Sequence, residues 1–128
     1  MIRIKDIYGF TLIEVLVVMA IVATLLSIAA PRYFDSMERS KEAILKQDLT
    51  IMRDAIDKFY SDTNSYPNKL DELVTKKYLR TIPLDPITES SYTWIVIPPP
   101  TLDLQGAVYD VRSGAPGLSF NGSPYKQW

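Results

Sequence analysis

Histidine and cysteine are both absent from the 128 residues. Their absence excludes Ser-His-Asp and Cys-His triads, disulfides, haem attachment and every zinc site built on His or Cys ligands. No surplus of one charge exists either, since 14 Lys and Arg stand against 15 Asp and Glu for a net charge of −1. Phosphate backbones need a clustered excess of Lys and Arg, so no nucleic acid partner is expected. With 47% hydrophobic and 23% charged residues, the chain fits one small domain that is neither collagen-like nor disordered. A small exported protein without disulfides needs another staple.

Hydrophobicity is concentrated at one end. Across residues 10–30 the one charged side chain is Glu14, and Val, Leu, Ile, Ala and Met supply most of the rest. At ~1.5 Å per residue this stretch reaches roughly 31 Å, about the hydrocarbon thickness of a bilayer. Arg3 and Lys5 precede it and, by the positive-inside rule, keep the short amino-terminal stretch cytoplasmic, a signal that Asp6 weakens slightly. Two fates compete for the segment. A basic start, an apolar run and the small residues of Ser27-Ile28-Ala29 suit a secretory signal peptide. Glu14 opposes that fate, because a carboxylate costs on the order of 3 kcal/mol at the centre of a span and less near its end. Taken alone, Glu14 also fits a residue near the interface that snorkels or is protonated.

The neighbours of Glu14 are more specific. Gly9-Phe10-Thr11-Leu12-Ile13-Glu14-Val15-Leu16, between a short basic leader and an unbroken apolar run, resembles the processing motif of type IV pilins and type II secretion pseudopilins. The resemblance implies that a prepilin peptidase cuts between Gly9 and Phe10. Residues 1–9 would be a leader peptide, the apolar segment would stay in the mature protein, and Phe10 would become an N-methylated amino terminus. Gly9 suits cleavage, since a residue without Cβ lets a protease approach the backbone. The resemblance also gives Glu14 an assembly role: its carboxylate would pair with the new amino terminus of a neighbouring subunit and set the register of a filament. A charge in lipid needs such a partner.

Pro31 closes the apolar run and marks a helix kink, because a helix crossing it loses one hydrogen bond. Beyond it Met37, Ile44, Leu45, Leu49, Met52, Ile56 and Phe59 recur at steps of three and four, with charged residues on the other faces, so the helix continues with one stripe toward a core. Together the two stretches predict a helix of about 50 residues. It should stop near Ser61, where Asp62-Thr63-Asn64-Ser65 and Tyr66-Pro67 follow. Asn68 is expected to cap a short second helix carrying Asp71, Leu70, Leu73 and Val74. Residues 92–97 read as a strand, residues 107–111 as its antiparallel partner, and residues 114–124 as a Gly-, Pro- and Ser-rich loop before Tyr125 and Trp128. The predicted class is α+β and resembles the pilin architecture: a long N-terminal helical spine, with residues 10–30 as its transmembrane and assembly half, and a periplasmic domain over residues 31–128 that contains a short helix and antiparallel β-strands.

The middle of the chain carries Phe59-Tyr60-Ser61-Asp62-Thr63-Asn64-Ser65-Tyr66-Pro67, then Leu70-Asp71-Glu72-Leu73-Val74, Tyr78-Leu79 and Pro83-Leu84-Asp85-Pro86. These resemble the major pseudopilin of type II secretion, the G type. Membership implies a structural subunit that assembles from the inner membrane into a periplasmic pseudopilus and pushes proteins out of the periplasm. Its implied partners are copies of itself, minor pseudopilins, prepilin peptidase, an inner-membrane assembly platform and membrane lipid. In that family the carboxy-terminal loop usually binds calcium. Here no Asp or Glu lies between Ser113 and Trp128, so a hard cation would rest on carbonyls, hydroxyls and an amide, with Asp110, Ser113 and Asn121 as calcium candidates. The alternative is packing of Phe120, Tyr125 and Trp128.

Two other functions compete. A type IV pilin, major or minor, would serve adhesion, motility or DNA uptake, although many such pilins close their last loop with a disulfide. An anchored enzyme could use Asp62, Asp85 or Asp110, but these sit in turn and pre-proline contexts that favour Asp for local hydrogen bonds. No enzyme activity is expected. Lys76, Lys77, Tyr78 and Arg80 suit either an anionic partner or a solvated helix face.

Overall fold

The structure, a computed structural model, describes residues 9–128; Arg3, Lys5 and Asp6 lie outside the described residues. The order of elements is α1 (Leu12–Thr63), α2 (Leu70–Thr75), β1 (Ile95–Ile97), β2 (Asp110–Arg112) and a 3₁₀ turn, η1 (Tyr125–Gln127). The chain divides into two units, one ending at Met37 and the other Glu38–Trp128, and α1 contributes to each.

In the first unit the helix passes through Pro31 without interruption. Proline has no N–H, so the carbonyl of Ser27 receives no helical bond from position 31. Hydroxyls within this stretch are satisfied by the helix itself: Thr24 Oγ1 donates to the Ala20 carbonyl at 2.8 Å and Ser27 Oγ to the Thr24 carbonyl at 2.7 Å.

In the second unit Leu45, Leu49, Met52, Ala55, Ile56 and Phe59 form the buried stripe of α1. They pack with Leu73, Leu79, Trp94, Val108, Val111, Ala115 and Tyr125 into one core. Burying each large aliphatic or aromatic side chain there contributes about 1.5–3 kcal/mol. Two expected members do not join. Met37 and Ile44 are 41% and 47% exposed: Met37 belongs to the other unit, and Ile44 sits about 100° round the helix from the Leu45 column.

α1 ends at Thr63, two residues beyond the expected Ser61. Thr63 extends it by donating Oγ1 to the Phe59 carbonyl at 2.7 Å, and Asn64 stops it by adopting a left-handed φ of 57°. α2 forms where expected, but its N-cap is Lys69 with no side-chain cap, not Asn68. Asn68 instead donates its backbone N–H to Glu72 Oε2 at 2.7 Å, a reach-back by the acidic residue of the first turn. The buried Pro67 carbonyl accepts the N–H groups of Ala107 and Val108 at 3.0 and 2.8 Å, while Tyr66 stacks on Tyr60 and meets Tyr109 edge-on. Tyr66 and Pro67 thus pack on the loop between α1 and α2.

Both strands are shorter than predicted, and β2 begins three residues later than expected. They pair antiparallel with Ile95 opposite Arg112 and Ile97 opposite Asp110. Beyond the paired residues Thr93 lies against Gly114, where the two segments run so close that a Cβ on Gly114 would be 2.1 Å from the Thr93 carbonyl oxygen. That close approach is where the tail leaves the sheet.

Candidate functional site

The amino-terminal unit presents the candidate site. Among the described residues α1 is the one helix long and apolar enough to cross a membrane, and none of that apolar stretch is buried by the chain itself. Phe10 is 88% exposed and Leu12 78%. Isolated apolar residues on a surface are ordinary, whereas a continuous apolar cylinder marks a membrane or protein contact.

The motif residues occupy the start of this helix. Thr11 is its N-terminal cap: its Oγ1 accepts the Glu14 N–H at 3.2 Å and its carbonyl accepts the Val15 N–H at 3.2 Å. Sequence reasoning passed over this role, although Thr-x-x-Glu at positions 11 and 14 is the signature of a capping box. Gly9 and Phe10 precede the cap in non-helical, exposed backbone. A Cβ added to Gly9 would meet nothing within 4 Å, so nothing in the described chain asks for glycine there. Glu14, in the first turn, is exposed with the apolar residues around it; a carboxylate at a helix N-terminus is favoured by the macrodipole.

The three calcium candidates have other partners. Asp110 Oδ1 accepts Arg53 Nε at 2.9 Å and its own neighbour's N–H, from Val111, at 2.7 Å. Ser113 donates Oγ to Asp85 Oδ2 at 2.6 Å and accepts the Ala115 N–H at 3.1 Å. Asn121 Oδ1 accepts the Ser119 hydroxyl and both the N–H and the hydroxyl of Ser123, the last two at 3.1 and 2.7 Å. Calcium takes six to eight oxygens and favours carboxylates. Here the carboxylate is already neutralised by a guanidinium and the amide oxygen already accepts three donors, so this donor set does not fit the ion. Among the described residues no cluster of three or more His, Cys, Asp or Glu could hold a metal.

The carboxylates weighed for catalysis are likewise committed. Asp62 Oδ2 accepts the Tyr78 hydroxyl at 2.7 Å, which raises the Tyr78 phenol. Asp85 is fully buried; its Oδ1 accepts the Ile87 N–H at 2.8 Å and, at 3.4 Å, the Thr88 N–H. One carboxylate neighbour was not foreseen: Asp48 on α1 lies close enough to Asp85 for the two to interact, and burial, then the charge of Asp85, raises the Asp48 carboxyl. An inaccessible Asp85 with both oxygens occupied cannot serve a substrate. Lys76, Lys77 and Arg80 are exposed, while Tyr78 is turned to Asp62.

Comparison with known proteins locates the same motif. A family model described as the prokaryotic N-terminal methylation motif matches residues 4–30. The chain is 31% identical over 94 residues to the type II secretion system core protein G of Aeromonas hydrophila, covering 61% of this chain and 66% of that one. It is 30% identical over 94 residues to the protein of the same name from Pseudomonas aeruginosa, with the same two coverages. Similarity to the type IV major pilin protein PilA of Myxococcus xanthus is 35% over 65 residues, 51% of this chain and 30% of that one. The chain thus spans just under two thirds of the length of these core G proteins. No solved structure matches. With the motif at the head of a long helix and a small α+β domain behind it, the chain carries the prokaryotic N-terminal methylation motif on a fold of the pilin-like kind and is similar to the core G proteins of type II secretion.

Proposed function

We propose that the chain is a structural subunit of a type II secretion pseudopilus, anchored in the inner membrane and assembled into a filament that pushes proteins out of the periplasm. The observation that carries this is the apolar half of α1, covered by nothing in the chain and headed by a methylation motif. Removal of that surface from water contributes about 25 cal/mol per Å², and lipid before assembly and neighbouring copies after it are the two environments that supply it.

Each motif residue then has a task. Prepilin peptidase cuts after Gly9, whose missing side chain serves the enzyme and not the fold. Phe10 becomes the methylated terminus, and Thr11 starts the helix directly behind it. Glu14 pairs with the terminal ammonium of the next copy, and Pro31 supplies the weak point at which the helix bends or unwinds. Arg3 and Lys5 hold the leader in the cytoplasm and send the domain to the periplasm. The role is structural: Asp62, Asp85 and Asp110, the carboxylates weighed for catalysis, are engaged in hydrogen bonds that hold the fold.

A type IV pilin is the second reading, favoured by the similarity to the Myxococcus pilin. Deleting the chain from its host and measuring secreted protein alongside surface fibres separates the two. Retention of exoproteins in the periplasm with surface fibres unchanged supports the pseudopilus; lost fibres with normal secretion would sink it.

A further inference from the structure

Residues 113–128 contain no carboxylate side chain, yet they fold onto α1 in a defined way. Three residues of the helix, Arg39, Glu42 and Lys46, lie at steps of three and four and so share one face. Each engages a different group of the tail. Glu42 Oε1 accepts the Phe120 N–H at 2.9 Å and the Tyr125 hydroxyl at 2.8 Å. The Arg39 guanidinium lies 5.0 Å from the centre of the Phe120 ring and the Lys46 ammonium 4.9 Å from that of Trp128.

The tail is also closed on itself. Ser119 donates its N–H to the Ser123 carbonyl at 2.8 Å, Gly122 to the Ser119 carbonyl at 2.9 Å, and Trp128 Nε1 to Ser123 Oγ at 2.9 Å. Its neutral oxygens thereby acquire donors from within the loop; a carboxylate from outside, Asp85, meets the start of the tail at Ser113, and the one that reaches its tip and last turn is Glu42 of the helix.

We propose that a metal-independent clasp, with Glu42 as its central acceptor between Arg39 and Lys46, holds residues 113–128 on α1 in the place where a bound cation would otherwise order such a loop. One carboxylate presented by the helix satisfies an amide and a phenol from two points of the tail, which fixes both its tip and its carboxy-terminal turn. The two cations on either side cover the aromatic rings of the same tail. Tyr125 shows the tightness of the contact: burial first, and then the bond to Glu42, pushes its phenol up to about 12. The clasp requires nothing of the filament and stands apart from the proposed secretion role.

Amide hydrogen exchange at Phe120 in the full chain, purified in detergent micelles, tests it. Exchange in millimolar calcium chloride is expected to match that in EGTA within about twofold. Glu42→Ala, which keeps a strong helix former at the position, is expected to speed exchange at Phe120 by about tenfold or more, as loss of a hydrogen bond to a charged acceptor implies. Glu42→Gln retains an acceptor oxygen without charge and is expected to fall between the two, which keeps the test open if the alanine variant does not fold. Calcium-dependent protection of Phe120 in the parent chain would overturn the clasp, as would unchanged exchange in the Glu42 variants.

Discussion

Asp85→Ala removes the acceptor that ties the 85–90 turn to the start of the tail. The side chain has no solvent access, so water cannot replace what is lost. Two bonds are of good length, 2.8 Å from the Ile87 N–H and 2.6 Å from the Ser113 hydroxyl, and a third, from Thr88, is long at 3.4 Å and counts for little. Hydrogen bonds to a charged acceptor contribute about 1.5–3 kcal/mol each. Against this, alanine relieves the cost of burying a carboxylate and its repulsion with Asp48. The expected net loss is about 3 kcal/mol, with Asp85→Asn about half as damaging because it keeps one acceptor for Ile87 but turns an NH₂ toward Ser113. For a unit of roughly 90 residues the alanine value corresponds to a fall of about 12–24 °C in Tm. Thermal melting of the full chain in detergent, followed by near-ultraviolet circular dichroism of Trp94 and the tyrosines, measures it. A loss below about 1 kcal/mol for Asp85→Ala would refute the assignment of Asp85 as the tie between turn and tail.

Asp48 carries a raised carboxyl, so the folded state binds its proton more readily than the unfolded chain, and stability falls as pH rises from the ordinary value of 3.8 through the raised one. Asp48→Asn should therefore stabilise the fold at pH 7 and flatten its pH dependence above pH ~4, checked by denaturant melts at several pH values; destabilisation at pH 7 would contradict it. Gly114→Ala forces a Cβ to within 2.1 Å of the Thr93 carbonyl oxygen and should cost about 1–3 kcal/mol in the same melts. Arg53→Met breaks an ion pair whose partners are 38% and 31% exposed and a 3.0 Å bond to the Val111 carbonyl; after screening by solvent the loss should be about 1–2 kcal/mol, and high salt should recover little of the backbone share. Glu14→Leu should leave folding and leader cleavage intact but abolish filaments in a reconstitution assay, and filaments at the parent level would remove its registration role.

The features legible in the sequence are those written locally. The motif at residues 9–16, the apolar run, the i, i+3, i+4 stripe from Leu45 to Phe59 and the breaker residues after Thr63 all act over a few positions, and each has a counterpart in the structure. Boundaries moved where one side chain decided them, as when Thr63 bonded back to Phe59 or Glu72 reached Asn68. What could not be read joins distant positions. Glu42 meets Phe120 and Tyr125 across 78 and 83 residues, and Arg53 meets Asp110 across 57; no spacing rule connects them, and Arg53's hold on the Asp110 carboxylate was equally hidden. The cap at Thr11, whose hydroxyl accepts the Glu14 N–H, was local and legible in the Thr-x-x-Glu spacing.

The central claim is that the apolar half of α1 stays in the mature protein, where lipid and then other copies cover it. Intact mass with amino-terminal fragmentation of the membrane-extracted protein from its native host tests that claim most directly. A chain beginning at N-methyl-Phe10 is the predicted result, and a chain beginning at Ala30, or one still carrying Met1, would contradict it.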